Sequence, residues 1–261
     1  MKIDSTTNKV TRRAMLATVL AGGGYLAAKQ LKILPASGEV QIVSRGNVNP
    51  KLVEEIKDEY QKLPDYIKKD VKDFGFTVVV TKQITDYKGS PMYNCTGLMQ
   101  GFELTVAEEY VDSKTKKAHK NSEPRKTLRH EVGHAIDLRG YTRVFYSKYS
   151  DTEDFINAYN KDVGNISEDL KKDDYLSYFL QEGARGHEET FAEVFAELTG
   201  NDYVYLLYYF PNVRAYIQKN IIQETPFTTF LKTSPILPNS SVMVNGGCCL
   251  PGTHVKAVPY R

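Results

Sequence analysis

The sequence predicts an α+β domain: a small mixed sheet early in the chain, an active-site helix after it, and a mostly helical C-terminal half. Three observations carry this. Phe76-Thr-Val-Val-Val-Thr-Lys82 is β-branched through its centre and reads as a buried strand. From Ser122 onward, apolar residues recur at helical spacing in successive segments. The first of those segments holds Arg129-His-Glu-Val-Gly-His-Ala-Ile-Asp137, with two of the chain's five histidines four residues apart.

The 261 residues divide into three parts. Residues 1–38 read as an export signal and linker. Lys2, Lys9, Arg12 and Arg13 precede a mostly apolar run from Ala14 to Ala28, short of the roughly 20 residues a spanning helix needs. Thr11-Arg-Arg-Ala-Met-Leu16 is similar to a twin-arginine signal. The expectation is an exported protein, periplasmic or secreted, with no stable membrane insertion after signal removal. Residues 39–224 form the domain, long enough to bury a sizeable core. Residues 225–261 are Pro-, Ser- and Gly-rich and lack periodicity.

Within the domain, Leu52, Ile56 and Tyr60 recur at helical spacing over Pro50 to Asp73, with Pro64 dividing the run. After the Phe76–Lys82 strand, Tyr87 to Cys95 reads as loop. Gly97 to Val111 is strand-like, with Leu98, Phe102, Leu104 and Val106 at even spacing, and Gly101 to Glu108 is the expected sheet edge. The basic run from Lys114 to Arg129 reads as a solvated loop. Ser122 is the expected cap of the next helix, with Pro124 in its first turn and an end near Gly140. Ser150 and Glu153 form a capping box for a helix from Thr152 to about Val163. Further helical segments run from Ser167 to Leu180, His187 to Thr199, Asp202 to Phe210 and Val213 to Gln223, with Pro211 separating the last two.

A net charge of +2 argues neither way on nucleic acid, and no nucleic-acid partner is expected. Oligomeric state is not legible. The cysteines are Cys95, Cys248 and Cys249. In an oxidising compartment Cys95 can pair with one of the adjacent two, tying the tail to the domain; free or mixed thiols are the alternative.

The chemistry concentrates in two segments. On a helix, His130 and His134 share a face and can grip one ion, with zinc the natural choice for imidazole ligands. Glu131 points about 100° away around the axis, where it reaches a water rather than the ion. Leu128, Val132, Ala135 and Ile136 form the core-facing side, and Gly133 lets another backbone approach. The third ligand is sought in Gly186-His-Glu-Glu-Thr-Phe-Ala-Glu-Val-Phe-Ala-Glu-Leu198. There Glu189, Glu193 and Glu197 line one side and Phe191, Val194, Phe195 and Leu198 the other. A solvated acidic face is the plain account. The small residues Ala192 and Ala196 beside the glutamates favour a helix–helix contact instead. With the His-Glu helix as partner, Glu189 becomes the favoured third ligand, His187 and Glu193 being the alternatives. Glu193 or Asp137 then supports a ligand histidine through its second ring nitrogen.

The pairing of His-Glu-Val-Gly-His-Ala-Ile-Asp with Glu-Thr-Phe-Ala-Glu-Val-Phe resembles the catalytic domain of anthrax lethal factor and the clostridial Pro-Pro endopeptidases. Phe210-Pro-Asn-Val-Arg-Ala-Tyr-Ile217 is similar to that family's closing segment. The resemblance covers roughly residues 45 to 224. It implies a zincin-like metallopeptidase fold, a Zn2+ cofactor, Glu189 as ligand and Glu193 as its support, Glu131 as general base, and a protein or peptide substrate. It also implies an oxyanion-stabilising tyrosine shortly before Glu189. At the usual offset this chain has Glu182, and the nearest candidate is Tyr178. The expected activity is zinc-dependent endopeptidase. The alternatives are a catalytically silent binding domain and a zinc hydrolase of a non-protein amide.

Overall fold

A computed structural model describes residues 39–138, 140, 147–200 and 205–222. The expected signal, the tail with Cys248, Cys249 and His254, and positions 202–204 of the helix expected from Asp202 lie outside the described residues.

The fold is α+β. A short strand, β1 (Ile42–Arg45), leads into α1 (Pro50–Lys62). Asn49 caps α1 by accepting the Lys51 N–H, and Pro50 fills the first turn, where a missing N–H costs nothing. Pro64 divides the helical run as expected, and α2 (Asp65–Asp73) follows it. Ile56, Tyr60, Ile67 and Val71 turn inward from the two helices.

The main sheet runs in the order β1-β2-β4-β3. Strand β2 (Thr77–Thr81) pairs in parallel with β1 and with β4 (Glu103–Ala107). Flanked on both sides, its Val78, Val79 and Val80 are all fully buried, which explains a continuous rather than alternating apolar run. Strand β3 (Gly97–Gln100) pairs antiparallel with β4. The strand-like stretch from Gly97 to Val111 is therefore not one strand. It breaks at Gly101, whose positive φ of 61° makes the turn of a hairpin, and ends in β5 (Glu109–Val111), which forms a separate ribbon with β6 (Ala118–Lys120). The expected edge, Gly101 to Glu108, is corrected by the same topology: β4 is interior, and β3 is the edge on its side of the sheet.

The basic run also departs from expectation. It contains β6, and two of its cations, Lys126 and Arg129, are buried on helix α3 (Pro124–Leu138), which begins at Pro124 as expected. Arg129 is ion-paired with the buried Glu59 of α1. Helix α3 lies against β3, β4 and α1 and, most extensively, against α6 (Ala184–Thr199). Between them come α4 (Glu153–Asn165) and α5 (Asp174–Phe179), and α7 (Tyr205–Tyr209) and α8 (Pro211–Asn220) close the helical half. The cap of α4 is Thr152, which accepts the Phe155 N–H; Ser150, the expected cap, is engaged by Asp137 instead. Asp162 of α4 accepts the N–H groups of Asn212 and Val213, capping α8 from outside. Among the described residues no helix is long and apolar enough to cross a membrane.

The α3–α6 contact turns on one glycine. A Cβ at Gly133 would stand 2.8 Å from both the Cα and the carbonyl oxygen of Ala192. Backbone meets backbone there, so the obstruction cannot be relieved by a rotamer change. Gly133→Ala is expected to destabilise the metal-free protein by about 3 kcal/mol, the upper range for overpacking, outweighing the gain of about 1 kcal/mol in helix propensity. Urea unfolding of the two proteins checks this.

Candidate metal centre

Helix α3 presents His130 and His134 on one face, their ring centroids 4.7 Å apart and nearly perpendicular. Because α6 approaches so closely at Gly133, Glu189, one turn before Glu193 on α6, reaches both rings. Glu189 Oε2 stands 3.3 Å from His130 Nε2 and 3.6 Å from His134 Nε2. Two nitrogens and one oxygen thus converge from two helices, a group that could hold a metal ion. The spacing suits one small ion: corners of a tetrahedron with arms of about 2.0–2.1 Å lie about 3.3–3.4 Å apart. The donor set, two imidazoles and a carboxylate, is one that zinc takes readily.

The electrostatics fit the same group. Burial alone would raise the Glu189 carboxyl, but its contacts with His130 and His134 outweigh burial and hold it well below the usual range. Burial pushes the Glu131 carboxyl up, opposed by the two histidines and by the Met99 N–H that bonds to it. Glu131 lies directly under the edge strand. A Cβ at Gly97 would collide with its Oε1 and stand 2.6 Å from Thr127 Cγ2. Its other oxygen, Oε2, is buried and has no hydrogen-bond partner. That is costly unless something takes its place as donor, and it leaves an acceptor beside the histidines open for a water or a substrate proton.

The three glutamates of α6 are not a solvated face. Glu193 and Glu197 are 1% and 2% exposed. Glu193 Oε2 is 2.8 Å from His130 Nδ1, so it fixes that ring from behind while Nε2 faces Glu189. Burial would raise the Glu193 carboxyl, but the Lys126 charge and the His130 contact outweigh it and hold it low. Glu197 is turned to the next helix, where it accepts the Leu206 and Leu207 N–H groups at the start of α7. Burial and the nearby Glu193 push its carboxyl up to about 8.

The other candidates are placed as follows. His187 does not join the cluster; its ring packs edge-on against Tyr159, 4.6 Å between centroids. His119 stacks on Tyr110 in the β5–β6 ribbon. Tyr178 is buried on α5, edge-on to Phe179. The tyrosine that bonds a carboxylate of the site is Tyr175, whose hydroxyl donates to Glu193 at 2.9 Å. Asp137, expected behind a ligand histidine, uses its oxygens on Ser150: Oδ1 accepts the backbone N–H at 2.7 Å and Oδ2 the hydroxyl at 2.6 Å. It thereby ties the end of α3 to the turn at Tyr149–Asp151. Lys126 and Tyr175 were not singled out by sequence reasoning. The only available signal was that Lys126 lies one helical turn before His130. Cys95 is disulfide-bonded, and the chain's two other cysteines lie outside the described residues.

Burial raises the Asp137 carboxyl to about 7, although both Ser150 hydrogen bonds oppose the shift. From about pH 4, where the unfolded carboxyl ionises, up to about 7, the folded chain holds a proton that the unfolded chain has lost. The contribution of Asp137 to stability therefore falls as pH rises through that window. In Asp137→Asn, the amide oxygen can accept the Ser150 N–H and the amide nitrogen can donate to the hydroxyl. The variant is expected to gain stability relative to the parent across pH 4–7, by roughly 2–4 kcal/mol at the top of the window, as read by denaturant titration of the metal-free proteins.

No protein-family model matches the chain, and no curated protein matches it. Among solved structures it is similar to the Pro-Pro endopeptidase PPEP-2 from Paenibacillus alvei, at 22% identity, covering 69% of this chain and 96% of that one, with a TM-score of 0.44.

Proposed function

We propose that the protein is a zinc-dependent endopeptidase of zincin-like fold. The observation that carries this reading is the convergence of His130, His134 and Glu189 beside Glu131, which packs against Gly97 of β3 and keeps one buried oxygen without a hydrogen-bond partner. His130, His134 and Glu189 would hold the ion. Zinc bound there supplies Lewis acidity and lowers the pKa of water toward 7.

The remaining steps belong to the chain's own residues. Glu131, its carboxyl pushed up by burial, accepts the proton of the attacking water and delivers it to the leaving nitrogen. The Met99 N–H keeps the carboxylate under the strand edge during both transfers. An extended peptide adds to β3 by main-chain pairing, which brings its scissile bond over Glu131. The lack of a side chain at Gly97 leaves the room beneath the strand that Glu131 Oε1 and Thr127 occupy. Tyr178 is assigned to the developing oxyanion. The support for it is its place on α5 three residues beyond Tyr175, on the same face of a helix already joined to Glu193. We also propose an exported location, on the strength of the signal-like stretch Thr11-Arg-Arg-Ala-Met-Leu16.

Zinc analysis and cleavage of a quenched-fluorescence peptide library test the proposal. The parent protein is expected to hold about one zinc per chain. Glu131→Gln should keep that zinc and lose activity by about 10²–10⁴-fold. Equal activity in both would remove Glu131 as the base, and absence of stoichiometric zinc in the parent would overturn the proposal as a whole.

A further inference from the structure

We infer that Lys126 and Tyr175 form a clamp that positions His130 through Glu193, so that the buried lysine of α3 and the tyrosine of α5 are positioning residues of the metal site. The inference rests on the zinc reading of that site.

The contacts converge on one oxygen. Lys126 Nζ is 2.5 Å from Glu193 Oε1, and the Tyr175 hydroxyl is 2.9 Å from the same atom. The ammonium and the hydroxyl are themselves 3.4 Å apart. The other oxygen, Oε2, is left to His130 Nδ1 at 2.8 Å. Rotation of a carboxylate about its last bond interchanges its two oxygens. Two donors on Oε1 oppose that rotation and hold Oε2 against the imidazole. The ring of His130 in turn keeps Nε2 aimed at the place where it meets Glu189.

A merely structural ion pair does not require this division of labour. Lysine is seldom buried, and a buried pair gives little stability for the desolvation it demands. Lys126 and Glu193 are 8% and 1% exposed, yet an apolar pair of similar volume would serve packing as well. What an apolar pair could not do is orient an imidazole. The clamp also joins three helices, α3, α5 and α6, at one carboxylate. It thereby fixes α5, the helix that carries Tyr178, relative to the ligands.

Partners standing behind metal ligands are commonly worth about 10–100-fold in metal affinity. Zinc affinity, measured by competition with a chromophoric chelator, tests the clamp in the full chain. Lys126→Met should bind zinc about 10–100-fold more weakly. Tyr175→Phe, which keeps the ring and its packing, should lose about 3–10-fold, as one of two donors on Oε1. In a Glu193→Gln background the Lys126→Met change should cost no more than about twofold further, because the path through Glu193 is already cut. Equal affinity in the parent and both single variants would overturn the inference. So would losses that simply multiply in the double variant. A structural role alone would lower the melting temperature of the metal-free protein and leave the affinity of the folded protein unchanged, and that result also overturns it. If Lys126→Met does not fold, Tyr175→Phe and the Glu193→Gln comparison decide the matter. A parent protein that binds no zinc would defeat the zinc reading itself, whereas a parent that binds zinc beside unaffected variants defeats only the clamp.

Discussion

The close approach of α3 to α6 is the constraint on which the rest of the site depends. Gly133 and Ala192 bring two backbones into contact, and every functional distance follows from that. With a larger residue at either place, Glu189 would withdraw from the two imidazoles and Glu193 from the back of His130. The site is therefore not a set of ligands grafted onto a scaffold. It is the consequence of two helices touching where neither has a side chain of any size to separate them.

Around this contact the protein buries a cluster of ionisable groups. Glu131, Glu193, Glu197, Lys126, Arg129 and His130 are all nearly inaccessible. Each charge has a distinct answer to its desolvation. Arg129 is answered by Glu59, Glu193 by Lys126, Tyr175 and His130, and Glu197 by the backbone of α7. Glu131 is answered only in part, through Met99. The group whose electrostatic account stays open is the one best placed to exchange a proton, whereas those fully satisfied serve as framework.

What the sequence made legible was local. That His130 and His134 share a face follows from helical periodicity alone, and the small residues of α6 pointed to the helix against which it packs. The division of α1 from α2 at Pro64 was equally local. What stayed hidden depended on partners remote in the chain. The hairpin at Gly101 was masked because the even apolar spacing continues through the turn. The burial of Lys126 and Arg129 could not be seen in a run of cations, since their counter-charges, Glu193 and Glu59, lie on other helices. The bonds of Asp137 were hidden for a similar reason: Ser150, thirteen residues on, donates to both of its oxygens. Edge and interior strands, likewise, are distinguished by topology, which no single strand records.

The two halves of the histidine–glutamate cluster are far apart along the chain; His130 and Glu193, the pair that links them most directly, are 63 residues apart. A loop of that length closes only at an entropic cost, and nothing short of the packed α3–α6 pair closes it. An unfolded or partly synthesised chain thus carries the His-Glu-Val-Gly-His segment without its third ligand, its supporting carboxylate or the strand that covers Glu131. The constellation comes into being with the tertiary fold and at no earlier stage. A chain that has not yet packed α3 against α6 therefore lacks the constellation altogether, whatever its local helix content.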